Sequence, residues 1–189
     1  MSREELVQTK RVYEGKILNL RVDTVRLNRG ERTIQATREV VEHSAAVVII
    51  PVEDKGDVLL VRQYRHAPGQ MLLEAPAGGI ERGEDPGRAV LRELQEETGC
   101  TADEVIPMRS FWMSPGFCTE EMHAFIAKKL RPGALHQEED ESIEVVPTPI
   151  SDIPRLIKSG AIRDSKSVAA LLMAIHLYDL PASAGHSKG

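Results

Sequence analysis

The chain has 189 residues, enough for one domain with a small appendage and for a sizeable core. Its formal net charge of -5 argues against nucleic acid as the main partner, because such proteins carry basic stripes. Cys100 and Cys118 form no CxxC pair and imply no disulfide framework. With aromatics at 4%, aliphatic side chains must fill the core, and any aromatic at a ligand site stands out.

The opening MSREELVQTK lacks the apolar centre of a signal peptide. The longest apolar run, residues 45–50 extended by Pro51 and Val52, is too short to span a bilayer. The reading is therefore a cytoplasmic protein with no membrane partner. Residues 10–42 alternate as strands do, with Leu18, Leu20 and Val22 on one side and Asn19, Arg21 and Asp23 on the other. Asn28-Arg29-Gly30 reads as a hairpin tip. Residues 45–52 and 57–64 are apolar and β-branched, joined by Glu53-Asp54-Lys55-Gly56, and predict a buried hairpin. A shorter strand at 71–74 ends at Ala75-Pro76-Ala77-Gly78-Gly79.

The clearest helix comes next. Asp85 suits the N-cap, Pro86 the first helical position, and Gly99 the position just past the end. Val90, Leu91 and Leu94 supply an apolar stripe, while Glu93, Glu96 and Glu97 gather on another face. Like charges three or four apart on a helix cost about 0.2–0.5 kcal/mol per pair. Such a cluster wants solvent or a cation, and hard divalent cations take carboxylate oxygens, often together with substrate phosphates.

Strands are predicted at 105–113 and 122–130, separated by Ser114-Pro115-Gly116-Phe117-Cys118-Thr119-Glu120. Residues 136–141 form an acidic loop, and 143–147 return to strand character. A short helix capped by Ser151 or Asp152 should end near Gly160. A last helix follows Asp164 and Ser165, with Val168, Leu171, Leu172 and Ile175 at core spacing. The tail from Pro181 is small and polar and reads as mobile. The six histidines show no zinc spacing, and neither a Walker A motif nor GxGxxG is present.

The stretch GGIERGEDPGRAVLRELQEETGC, from Gly78 through Glu84, Arg92, Glu93, Glu96 and Glu97 to Gly99, resembles the Nudix box. That box is the signature of hydrolases acting on nucleoside diphosphates linked to another moiety. Cys100 departs from it, since the family usually has an aliphatic residue there, and a buried cysteine can substitute as a small hydrophobe. EVVEHSAAVVIIPV, VLLVRQYRHAPG, LLEAPAGGIE, SPGFCTEEMH and EEDESIEV extend the likeness to the ADP-ribose pyrophosphatase branch. Pro115 stands fifteen residues after the box, where that branch has its proline.

The resemblance implies an α/β fold: an α/β/α sandwich around a mixed sheet. A small N-terminal β-rich section would occupy residues 1–42 and dimerise, the hydrolase domain residues 43–180, and the mobile tail residues 181–189. It implies Mg²⁺, with Mn²⁺ as a possible substitute, held by Glu93, Glu96, Glu97 and the Ala77 carbonyl. Gly78, Glu84 and Arg92 would be structural support. In the acidic loop it makes Glu139 the base and Glu141 a further metal contact, in a register open to a slip within Glu138–Glu141. Arg38 and Arg65 become phosphate contacts, or else exposed strand arginines. Pro115 and Glu120 fall at the substrate, and Phe117 or Tyr13 stacks on a base or belongs to the core. The implied reaction is hydrolysis of ADP-ribose to AMP and ribose 5-phosphate. GDP-mannose or a broader range of nucleotide sugars is the alternative substrate class. A non-catalytic ADP-ribose-sensing module is the alternative of another kind, disfavoured by the intact glutamates.

Overall fold

The computed structural model describes residues 4–30, 32–134 and 142–180. Glu139, Glu141 and the rest of the acidic loop, with the tail 181–189, lie outside the described residues. The chain divides into two compact units, Met1–Ala45 with Trp112–Glu121, and Ala46–Phe111 with Met122–Gly189.

The first unit is an antiparallel sheet of β1 (Glu5–Glu14), β2 (Leu18–Arg29) and β3 (Arg32–His43), in that order. β2 and β3 pair continuously from Leu18 opposite His43 to Arg29 opposite Arg32. Gly30 sits in the turn at φ 61°, a conformation that costs glycine little, so the tip falls where the sequence placed it. The buried face of β2 is one residue out of phase with expectation. Asp23, Val25 and Leu27 are buried, whereas Leu18 is exposed and Leu20 and Val22 are half-buried. Asp23 tolerates burial because Thr9 Oγ1 donates to it at 2.6 Å and Arg21 Nε at 3.0 Å. The segment after Trp112 is stitched to β3: the Val41 amide donates to Phe117 O at 2.7 Å, and Thr119 N to Val41 O at 3.0 Å.

The second unit holds two sheets. In one, β4 (Ala46–Pro51) runs parallel to β10 (Glu121–Pro132) and antiparallel to β7 (Ala77–Gly79), and β8 (Cys100–Pro107) lies antiparallel on the far side of β10. The two-residue β9 (Phe111–Trp112) also pairs with β10. In the other, β5 (Asp57–Arg65) is flanked by β11 (Ile143–Pro149) and β6 (Gln70–Glu74), all antiparallel. The predicted hairpin of residues 45–52 and 57–64 is thus not a ladder. Its turn closes through Glu53 N to Asp57 O at 2.9 Å, and one bridge joins Val52 to Val58. Beyond that the strands part into separate sheets. Both are apolar along most of their length, and such strands can be covered on both faces. Periodicity alone does not choose their neighbours.

Three helices complete the unit: α1 (Pro86–Thr98), α2 (Ile153–Ser159) and α3 (Ser165–Leu177). Val47 and Ile49 of β4 pack with Ala89, Val90 and Leu94 of α1 and with Phe125 and Ala127 of β10. Val48 and Ile50 point to the other face by the two-residue period of a strand, and α3 packs against the same β4. The predicted α/β architecture around a mixed sheet is the one observed. Two details differ. Leu91 is exposed, and Ala89 takes its expected place in the core of α1. On α3 the buried stripe is Ser167, Ala170, Leu171 and Ala174; of the expected Val168, Leu171, Leu172 and Ile175, Leu171 is buried and the other three are half-buried.

Candidate active site

α1 begins where its capping chemistry says it should. Asp85 Oδ1 accepts from the amides of Gly87 at 3.0 Å and Arg88 at 3.3 Å. Gly99 ends the helix at φ 67°, its amide donating to Gln95 O at 2.9 Å. With those ends fixed, the helical period turns Val90 and Leu94 into the core. Glu93 and Glu97, four residues apart, face the loop that precedes the helix. Both are buried, at 9% and 4% exposure. An ionised carboxylate at such burial needs compensating partners.

The loop supplies a partner for Glu97 and space for Glu93, whose oxygen Arg92 holds. The Ala77 amide donates to Glu97 Oε2 at 3.1 Å. Gly78 makes room for Glu93, since a Cβ built on it would stand 2.0 Å from the carboxyl carbon. Gly78 is therefore favoured by close approach rather than by an unusual φ, since a methyl there would push the Glu93 carboxylate aside. β7 holds the loop in place by pairing Ala77 with Val48 and Gly78 with Val47 of β4.

Arg92 ties the loop and the helix together. Its Nε and Nη2 donate to the two oxygens of Glu84 at 3.1 and 3.0 Å. Nη2 also reaches Gly79 O at 2.8 Å, and Nη1 reaches Glu93 Oε1 at 2.6 Å and Glu96 Oε2 at 3.1 Å. The bond to Glu84 above all, then that to Glu93, raises the Arg92 pKa further above its ordinary range. Glu84 is held below its usual value by Arg92 first and by the Glu81 amide second. Glu84 and Arg92 thus bond each other directly, whereas Gly78 lies against the Glu93 carboxylate that Arg92 also holds.

Among the described residues, no three acidic, histidine or cysteine side chains converge tightly enough to form a metal cluster. The Arg92 guanidinium instead lies on Glu93 and Glu96. The donors still fit a hard divalent cation. They are carboxylate oxygens on one helix face, set against a glycine-rich loop whose backbone can approach closely, and oxygen ligands of this kind suit Mg²⁺-like ions.

The other sequence-predicted residues are distributed as follows. Arg65, at the end of β5, places Nε and Nη2 on a single oxygen of Glu74, at 3.0 and 2.7 Å. In the first unit, Arg38 forks onto Glu4 at 3.1 and 2.5 Å. Glu120 approaches His43 Nδ1 at 3.6 Å, beyond good hydrogen-bond length. Pro115 is exposed in the turn closed by Phe117 N and Cys118 N on Ser114 O. Tyr13 and Phe117 are both 57% exposed, so neither is a core aromatic. The sequence reading missed Glu74, Asp164, Lys166 and Ser167, which meet beside the loop. The available signal was Glu74 itself, a carboxylate closing the apolar run MLLE.

A buried glutamate pair on a capped helix, backed onto a glycine-bearing loop and braced by one arginine, is an arrangement of oxygen donors suited to a hard divalent cation. The profile of the NUDIX domain matches residues 42–171, and the chain belongs to the Nudix family as a pyrophosphohydrolase. It is 35% identical over 170 residues to an ADP-ribose pyrophosphatase of Bacillus subtilis (strain 168), covering 89% of this chain and 90% of that one. It is 36% identical over 192 residues to a GDP-mannose pyrophosphatase of Salmonella paratyphi B, covering 91% of this chain and 99% of the other. A solved structure described as an ADP compounds hydrolase superposes with a TM-score of 0.81 over 94% of this chain and 95% of its own. At 23% identity, that likeness speaks for the fold alone.

Proposed function

We propose that the protein hydrolyses the diphosphate of ADP-ribose to AMP and ribose 5-phosphate, with Mg²⁺ as its cation and Mn²⁺ as a substitute. The observation that carries this reading is the burial of Glu93 and Glu97 against the backbone of Gly78 and Ala77. Bound there, divalent cations neutralise phosphate charge and lower the pKa of a coordinated water. Glu93, Glu96, Glu97 and the Ala77 carbonyl would hold them, with Glu141 as a further contact. Glu139 would take the proton of the attacking water, for which it need only be ionised and close. Arg38, Arg65, Glu120 and Pro115 are carried as substrate contacts.

Similarity to a protein named for ADP-ribose over nearly its whole length supports that substrate. Similarity to one named for GDP-mannose supports a second reading, hydrolysis of GDP-mannose or of nucleoside diphosphate sugars more broadly. A panel of ADP-ribose, GDP-mannose and other nucleotide sugars at matched concentration, with Mg²⁺ and then Mn²⁺, decides between them. Release of AMP with the highest kcat/KM on ADP-ribose is expected. A higher kcat/KM on GDP-mannose establishes the second reading, and binding without hydrolysis in either metal overturns both.

The proposal includes a cytoplasmic homodimer assembled through the N-terminal section, residues 1–42. Leu6, Val12, Tyr13 and Ile17 of this section are 58, 54, 57 and 72% exposed, apolar side chains that a partner surface would cover. Light scattering behind a sizing column should give twice the chain mass, and a monomer would refute this part.

A further inference from the structure

The second unit holds another charged cluster, of which the hydrolysis scheme uses only Arg65. Glu74, the last residue of β6, has a side chain only 3% exposed. Both of its oxygens are engaged. Oε2 takes the Arg65 fork, with Gln63 Nε2 at the 3.5 Å limit, and Oε1 lies 3.2 Å from Lys166 Nζ. Lys166, 14% exposed, also donates to Asp164 Oδ1 at 2.9 Å. The formal charges of Arg65, Glu74, Asp164 and Lys166 cancel, so the cluster stands as a neutral group.

The next residue of each element extends the link. Ser167 is fully buried, and its Oγ accepts from the Ala75 amide at 2.7 Å. Asp164 Oδ1 in turn accepts from the Ser167 amide at 3.0 Å, capping α3. The first turn of α3 thus grips two successive residues, Glu74 by charge and Ala75 by its amide. The following residues are held by other elements: Pro76 O accepts from Ile49 N of β4 at 2.8 Å, and Ala77 N donates to Glu97 of α1. Every residue from 74 to 77 is fixed to a neighbouring element.

Holding α3 against β6 does not require charge. An apolar pair of equal volume would do so without the cost of stripping water from ions. Hydrogen bonds to a buried charge add direction, since they fail when angles drift. The residues receiving that direction, Glu74 and Ala75, lie three and two positions before Ala77, and Gly78 follows it.

We propose that Lys166 and Ser167 are positioning residues for the metal site: through Glu74 and Ala75 they set the path of the loop that presents the Ala77 carbonyl beside Glu93 and Glu97. This rests on the metal-dependent hydrolase reading. It adds α3 to the elements on which metal affinity depends.

The test compares the parent with Ser167→Ala and Lys166→Met as full-length proteins. It reads the Mg²⁺ concentration at half-maximal hydrolysis, KM for the nucleotide substrate, and the Tm gained on adding Mg²⁺ alone. Residues that orient metal ligands from behind change metal affinity by about 10- to 100-fold when removed. The expected result is a half-saturating Mg²⁺ concentration raised on the order of tenfold, a KM near the parent value, and a smaller Mg²⁺-induced Tm gain. Ser167→Thr, which keeps the hydroxyl, should restore the parent's metal dependence. The inference is overturned if Ser167→Ala lowers Tm but leaves both metal readouts at parent values, which marks a bracket for stability only. If Lys166→Met does not fold, Ser167→Ala, the loss of one hydroxyl, decides alone. A parent with neither Mg²⁺-dependent hydrolysis nor a Mg²⁺-induced Tm gain would instead sink the hydrolase reading, and the inference with it.

Discussion

Gly78 and Glu93 occupy one volume between them: a methyl carbon on the glycine would stand 2.0 Å from the glutamate's carboxyl carbon. In Gly78→Ala the flexible carboxylate must move, because the backbone of residue 78 is held by β4. Stability should fall modestly, by about 1–3 kcal/mol for an overpacked site. Turnover should fall by about 10²-fold, since displacing a reacting group by an ångström costs about that much. Thermal melts paired with initial-rate assays check both, and an alanine variant of parent activity would remove Glu93 from the centre of the site.

Glu97→Gln keeps the shape of a buried side chain and an acceptor for the Ala77 amide, but removes a charge. The fold should persist, with a far-UV spectrum like the parent's. Metal-supplied charge stabilisation is worth several kcal/mol, so turnover should drop on the order of 10²- to 10³-fold. Glu139→Gln should lower the rate strongly as well, while leaving the Mg²⁺-induced Tm gain in place. A glutamine at either position with parent turnover would break the proposed division between metal ligand and base.

The residues that proved easiest to read are those whose signals are local. Asp85, Pro86 and Gly99 bracket α1 because caps act within a single turn. Gly30 marks the tip of β2 and β3 for the same reason. What depended on distant neighbours was less legible. Residues 45–52 and 57–64 look like a hairpin, but their partners, β10 and β11, lie far along the chain. Asp23 is buried against the hydropathy pattern because Thr9, on another strand, satisfies it. Arg65, carried as a phosphate contact, is also held through Nε and Nη2 by Glu74, a partner that the sequence did not indicate. The glutamates of α1 were readable as a set, whereas their second support, from Lys166 and Ser167, came from the far end of the sequence.

Arg92→Lys tests the brace. A lysine ammonium cannot reproduce the fork on Glu84 while also reaching Gly79 O and Glu93. Charge-assisted bonds contribute about 1.5–3 kcal/mol when buried, and the partial exposure of Arg92 puts the expected loss near the lower end. The rate should fall as well, because Glu93 and Glu96 lose a shared orienting donor. Chemical denaturation gives the first quantity and initial rates the second. Unchanged stability would mean that the fork is dispensable.

Glu84→Gln separates the charge of that brace from its shape and predicts a pH signature. The folded-state pKa of Glu84 lies below its ordinary value of 4.5, through Arg92 first and the Glu81 amide second. Protons therefore bind the unfolded chain more readily than the folded one. The stabilising contribution is complete above the unfolded pKa and disappears as pH falls through the lowered folded value. At neutral pH the parent should melt above Glu84→Gln, and below about pH 4 the two curves should draw together. Thermal melts from pH 7 to pH 3 measure that gap. A gap that stays constant down to pH 3 would show that the ionised carboxylate of Glu84 contributes nothing specific to the brace.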